Sequence, residues 1–138
     1  MILLDTNIIS ELMKTTPHPS VLAWINQQLN DTLFICSITV AEISYGLKVL
    51  PIGQRQKLLE TRFEQFTTQA FYERILSFTT VAAHLYGEIM GYRKTLGRPL
   101  SILDGQIAAI ALANNMAVAT RNIKDFNDCG LELINPFN

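Results

Sequence analysis

The chain has 138 residues, 49% of them hydrophobic and 17% charged, with a formal net charge of −1. That length suits one domain, residues 1–138, with a sizeable core, and excludes two. No apolar run is long enough to span a bilayer, Asp5 interrupts the first segment before a signal-peptide pattern develops, and two cysteines make neither a disulfide framework nor a metal knuckle, so a cytoplasmic protein with buried thiols is expected.

The charge is unevenly spread. From Lys48 to Arg98 eight bases face four acids, a balance of +4, and elsewhere three bases meet eight acids, a balance of −5. Such a split suits an anionic ligand held across an acidic, cation-charged pocket, and it suits solvated helix faces equally well.

Residues 1–4 are apolar without alternation, which predicts a central strand covered on both sides and ending at Asp5. Asp5, Thr6 and Asn7 then lead into a helix. In open α/β sheets the carboxyl end of a strand is where ligands bind, although Asp5 or Thr6 also suits a helix cap. A Pro-rich turn carries His18, read as idle, before an amphipathic helix with Val21, Leu22, Trp24, Ile25 and Leu29 that ends near Asn30. Residues 32–36 form a second apolar strand, followed by a helix with Ile43, Leu47 and Leu50 toward the core. Thr39 and Glu42 have the spacing of a capping box. After the break at 51–53 comes a helix with Leu58, Leu59, Phe63 and Phe66 on one side, making a helical hairpin at the sheet edge. A short strand over 74–78 precedes a helix with Val81, Leu85, Ile89 and Tyr92 at core spacing; His84 within it has no second ligand nearby.

Ser101 can cap the next helix, which is almost wholly apolar from Ile107 to Ala113 and so should be buried nearly all round. Asp104 shares a face with Ala108 and Ala111, small residues that let another group approach it closely. Asn114 and Asn115 end the helix, Ala117 to Ala119 make a strand, and a polar cluster follows at Thr120, Arg121 and Asn122. Lys124, Asp125 and Phe126 form a helical turn, and residues 131–134 an edge strand. The order predicts α/β architecture, with a mostly parallel sheet between helical layers.

With the strands ending at Asp5, Cys36 and Ala119 side by side, Asp5, Glu42 and Asp104 meet the turn from Asn122 to Asp125 around one pocket. Carboxylates so close raise one another's pKa, and a hard divalent cation resolves the conflict. Oxygen donors without His or Cys suit Mg²⁺ or Mn²⁺, completed by water and a substrate phosphate, which points to phosphodiester hydrolysis. Two other readings stand beside it. A Mg²⁺-binding, phosphatase-like enzyme with an aspartyl nucleophile usually has a second acid two residues after the first, where this chain has Asn7. A non-catalytic binding module would use every acid as a helix cap, at odds with the burial expected around Asp104.

The runs Leu4-Asp5-Thr6-Asn7, Thr39-x-x-Glu42, Asp104-x-x-Ile107-Ala-Ala109, Ala119-Thr120-Arg121-Asn122 and Asn135-Pro-Phe137, in this order across the whole chain, resemble the PIN-domain ribonucleases. The likeness is to the toxin member of VapBC-type toxin–antitoxin pairs, including the FitB-like branch. It implies a three-layer α/β/α sandwich, a Mg²⁺- or Mn²⁺-dependent endoribonuclease, a homodimer, and a small DNA-binding antitoxin as partner. It assigns metal binding to Asp5 and Asp104 with Glu42 completing the acidic set, and a supporting role to Thr6, Asn7 and Thr120. Asn122 stands where many members have Asp, which leaves a second metal open, with Asp125 either substituting or capping its own helix. Arg55, Lys57, Arg62, Arg93 and Lys94 are candidates for contacts to the RNA backbone.

Overall fold

The computed structural model describes residues 1–138. Eleven regular elements follow one another: β1 (Ile2–Leu4), α1 (Thr6–Leu12), α2 (Pro19–Gln27), β2 (Leu33–Cys36), α3 (Ser37–Lys48), α4 (Gln54–Gln65), β3 (Ile75–Leu76), α5 (Thr80–Thr95), α6 (Ile102–Ala113), β4 (Ala117–Ala119) and β5 (Leu133–Ile134). The strands form one sheet in the order β3-β2-β1-β4-β5, and every pairing is parallel. β1 is therefore central, as its unbroken apolar run requires, with Leu3 opposite Phe34 on one side and Val118 on the other.

Successive strand residues point to opposite faces, and the two faces are covered by different helices. Leu4, Ile35 and Ala119 pack with Ile8, Ile9, Val21, Ile43 and Phe63 from α1 to α4. Leu3, Cys36 and Val118 pack with Ala82, Ile89, Ile107 and Ile110 from α5 and α6. This is the expected three-layer α/β/α sandwich, and both cysteines are buried and free. α5 and α6 make the most extensive helix pairing, and Gly105 permits it: a Cβ there would lie 2.6 Å from Met90 Sδ and 3.0 Å from a Tyr86 ring carbon.

Several expectations change. α2 stops at Gln27, a 3₁₀ turn occupies Asn30–Thr32, and Leu22 and Leu29 face solvent. On α5, Leu85 and Ile89 pack inward, but Val81 and Tyr92 are 63% and 55% exposed, so the core stripe is narrower than its spacing suggested. α6 is buried only from Gly105 onward, and Ile102 and Leu103 in its first turn face solvent. Of the two asparagines ending α6, Asn115 alone is left-handed, with φ of 54°.

Arg93 differs most from expectation. It is 4% exposed and turns inward from the last turn of α5. Its guanidinium and Nε donate to the carbonyls of Arg98 at 2.9 Å, Asp125 at 2.9 Å and Asn127 at 2.8 Å. A buried cation bound by backbone carbonyls is a structural tie between α5 and the loop after β4, so Arg93 is no RNA contact.

Candidate active site

The site begins with the backbone. β1 runs one residue beyond its last strand pair: the Asp5 N–H donates to the Ala119 carbonyl at 2.9 Å, and Thr120 N–H to that of Ile134 at 2.9 Å. Asp5 and Thr120 are thus fixed side by side where two neighbouring strands end. Both are buried, and the Thr120 hydroxyl donates to Asp5 Oδ2 at 2.8 Å. Asp5 also caps α1, its Oδ1 accepting the Thr6 N–H at 2.8 Å. Asn7, in the first turn of α1, donates through Nδ2 to Asp5 Oδ2 at 3.2 Å and to Thr120 Oγ1 at 3.4 Å, while its Oδ1 accepts the Arg121 N–H at 3.2 Å.

Glu42 reaches the same place by another route. The capping box does not form, because β2 stays extended through Cys36 and α3 starts at Ser37, with Cys36 as its N-cap. Thr39 is instead buried inside the first turn, 3.0 Å from the Thr6 hydroxyl and 3.8 Å from Cys36 Sγ. Freed from capping, Glu42 Oε1 accepts the Thr6 hydroxyl at 2.7 Å. At Asp104 the expected cap holds: Ser101 Oγ accepts the Asp104 N–H at 3.2 Å.

These side chains line one open cavity of about 400 Å³ that contains no hydrophobic residue. Asp5, Thr6, Asn7, Glu42, Asp104 and Asn122 were expected there, and Thr120 stands behind Asp5. Ser10, Glu11, Lys14 and Arg121 were not anticipated. The first three follow Asn7 at helical spacing, a polar stripe legible in the sequence but hidden among the apolar residues of α1. Glu11 is buried and committed to Lys14 Nζ at 2.9 Å and the His18 N–H at 2.9 Å. Asp125 lies outside the lining and is exposed; Asn122 precedes the 3₁₀ turn Ile123–Phe126, so Asp125 is not its cap either.

Burial pushes the Asp5 carboxyl up to about 6, against the opposing hydrogen bonds from Thr120 and Thr6, and the charges of Asp104 and Glu42 add to the rise. Desolvation also raises Asp104, helped by the Asp125 charge and offset by Ser101 and Arg93. The cavity holds negative charge that the protein does not neutralise. No three of the carboxylates close on one point as the direct ligands of a metal ion. What suits a hard cation here is the chemistry of the lining, oxygen donors without His or Cys, and an ion among them would be held partly through water, as Mg²⁺ commonly is.

Beside this cavity, and sharing Thr6, Ser10, Lys14 and Glu42 with it, a larger groove of about 580 Å³ runs between α1, α3 and α4. Met13, Ile43, Leu47, Leu50, Leu58 and Leu59 line it, with Arg55 and Arg62 among them. Arg62 is partly engaged, donating to the Met13 carbonyl at 2.6 Å, whereas Lys57 and Lys94 are free at the surface.

Comparison with known proteins agrees with this architecture. The PIN domain family model matches residues 2–130. The VapC ribonuclease Y4jK of Sinorhizobium fredii is 43% identical over 137 residues, covering 99% of this chain and 98% of that one. The toxin FitB of Neisseria gonorrhoeae is 37% identical, with 99% of each chain covered. The structure of FitAB bound to the IR36 DNA fragment superposes with a TM-score of 0.93 at 38% identity, covering 100% of this chain and 96% of that one. Fold and length agree with these relatives, and the chain belongs to the PIN-domain family, alongside its VapC and FitB members.

Proposed function

We propose that the chain is a divalent-metal-dependent endoribonuclease and the toxin of a toxin–antitoxin pair. The observation that carries this reading is the arrival of Asp5, Glu42 and Asp104, from three separate elements, in one wholly polar cavity at the carboxyl end of the sheet. Asp5, Glu42 and Asp104 would hold Mg²⁺ or Mn²⁺, with the Asn122 amide oxygen at the rim. Asn122 brings no charge and Asp125 stands outside the cavity, which favours one firmly held ion over two. When bound, such an ion supplies Lewis-acid activation of water and offsets charge on the leaving oxygen of a phosphodiester.

The chain's own residues prepare that chemistry. Thr120 and the Thr6 N–H hydrogen-bond the Asp5 carboxylate and limit its rise in pKa, keeping it ionised near neutral pH. The Thr6 hydroxyl orients Glu42, and Thr39 braces Thr6 from behind. The cap-only reading is weakened at two of the three acids, since Glu42 bonds a side chain and the capping hydroxyl near Asp104 belongs to Ser101.

Arg55, Lys57 and Lys94 remain candidates for the RNA backbone, with Arg62 sharing its guanidinium with Met13. The DNA-bound FitAB complex supports a small DNA-binding antitoxin as partner. A partner segment in the apolar groove would sit against Thr6 and Glu42 and bar the cavity. Exposed apolar side chains at Val81, Tyr92 and Ile102 offer a surface for the homodimer. The direct test is cleavage of single-stranded RNA by the purified protein with Mg²⁺ or Mn²⁺. Cleavage should stop with chelator and in Asp104→Asn protein that retains its circular dichroism. If that variant cuts as the parent does, the acids are not the site.

A further inference from the structure

We propose that Arg121 is the residue of this site that takes the charge of the RNA, gripping a backbone phosphate at the mouth of the acidic cavity, and that the Asn135-Pro-Phe137 turn is the platform that holds it. The inference rests on the nuclease reading above and adds the group that recognises the substrate. A polyanion approaching a cavity lined by Asp5, Glu11, Glu42 and Asp104 is repelled unless a cation receives it. Two cations line that cavity, Lys14 and Arg121. Lys14 is already spent on Glu11 at 2.9 Å. Arg121 has no carboxylate partner, and its guanidinium makes no hydrogen bond within the protein.

Arg121 is nevertheless held at both ends. Its N–H is bonded to Asn7 Oδ1 at 3.2 Å, and Asn7 also bonds Asp5, so the backbone of Arg121 is registered to the central acid. Its guanidinium carbon lies 4.5 Å from the centroid of the Phe137 ring. Phe137 is braced in turn: its N–H donates to Asn135 Oδ1 at 3.0 Å, and the His18 ring meets it edge-on at 5.5 Å. His18 is fixed as the N-cap of α2, its Nδ1 accepting the Ser20 N–H at 3.2 Å. An ion pair would have immobilised Arg121 by neutralising it. Stacking on an aromatic face immobilises it and leaves both its charge and its in-plane N–H donors available, the fork that matches two phosphate oxygens.

The test follows binding of a fluorescein-labelled, mixed-sequence single-stranded RNA dodecamer by anisotropy across a salt series, on Asp104→Asn protein so that cleavage does not interfere. Adding Arg121→Gln should weaken binding about five- to tenfold and lower the salt slope by about 0.7, the share of one phosphate on a single strand. With Asp104 restored, KM for RNA should rise by a similar factor while kcat holds. Phe137→Leu should reproduce part of the loss and Phe137→Trp should not. Joined to Arg121→Gln, Phe137→Leu should cost nothing further. Unchanged affinity and slope in the Arg121→Gln protein overturn the assignment, and a Phe137→Leu loss that persists without Arg121 overturns the platform. Failure of the nuclease reading registers separately, as RNA cleavage by Asp104→Asn at the parent rate.

Discussion

Replacing Asp5 by Asn should make the metal-free protein more stable at pH 8 while removing its activity. Burial, with the charges of Asp104 and Glu42, raises this carboxyl from an ordinary 3.8 to about 6 in the folded chain. The native state therefore holds a proton that the unfolded state has lost between those two values, and stability falls as the pH climbs through that window. Above it, the buried charge costs about 3 kcal/mol, from roughly two pKa units at about 1.4 kcal/mol each. Asn avoids the charge and its oxygen can still accept the Thr6 N–H. Its amide, however, faces the donors Thr120 Oγ1 and Asn7 Nδ2, returning about 1 kcal/mol. The net gain of about 2 kcal/mol corresponds to a melting temperature higher by roughly 5–10 °C. Thermal melts in chelator at pH 8 and pH 4 measure it. The gain should vanish at pH 4, where Asp5 is protonated in the folded parent. Equal gains at both pH values, or a loss at pH 8, would refute the reasoning that charge burial drives the shift.

Arg93→Ala should destabilise the fold by about 3 kcal/mol in urea titration, because a buried side chain is lost and three backbone carbonyls lose a charged donor, whereas exposed Lys94→Ala should stay within about 0.5 kcal/mol. Gly105→Ala should cost about 1–3 kcal/mol, since the new methyl displaces Met90 and Tyr86 where α5 meets α6; pairing it with Met90→Ala should return part of the loss in the same titration. Thr120→Val removes the hydroxyl donor to Asp5 and should move the acid limb of the RNA-cleavage pH profile upward, toward higher pH, as the carboxyl becomes harder to ionise.

The parts of the site carried by strands were legible in the sequence. Residues 1–4 and 117–119 lack polar alternation, so they must be covered on both faces and adjacent strands must end together, which puts Asp5 next to Thr120. The helical parts were less so. Thr39 and Glu42 carry the same spacing whether Thr39 is the N-cap of α3 or the cap lies three residues earlier, and the extended backbone at Cys36, set by β2, decides the matter. Arg93 reads as a solvated cation in a last helical turn. Its burial comes from carbonyls 32 and 34 residues further on, which no local pattern reveals. Arg121 was visible only as part of a motif, and its distinction lies in the ring of Phe137, placed beneath it by the fold.

Whether three carboxylates from three elements serve one cation is measured most directly by calorimetric titration of Mn²⁺ into the parent, Asp5→Asn, Glu42→Gln and Asp104→Asn proteins. A shared ion requires binding near one per chain in the parent, weakened at least about tenfold by each substitution alone. Binding in Asp5→Asn and Asp104→Asn proteins that matches the parent would contradict it.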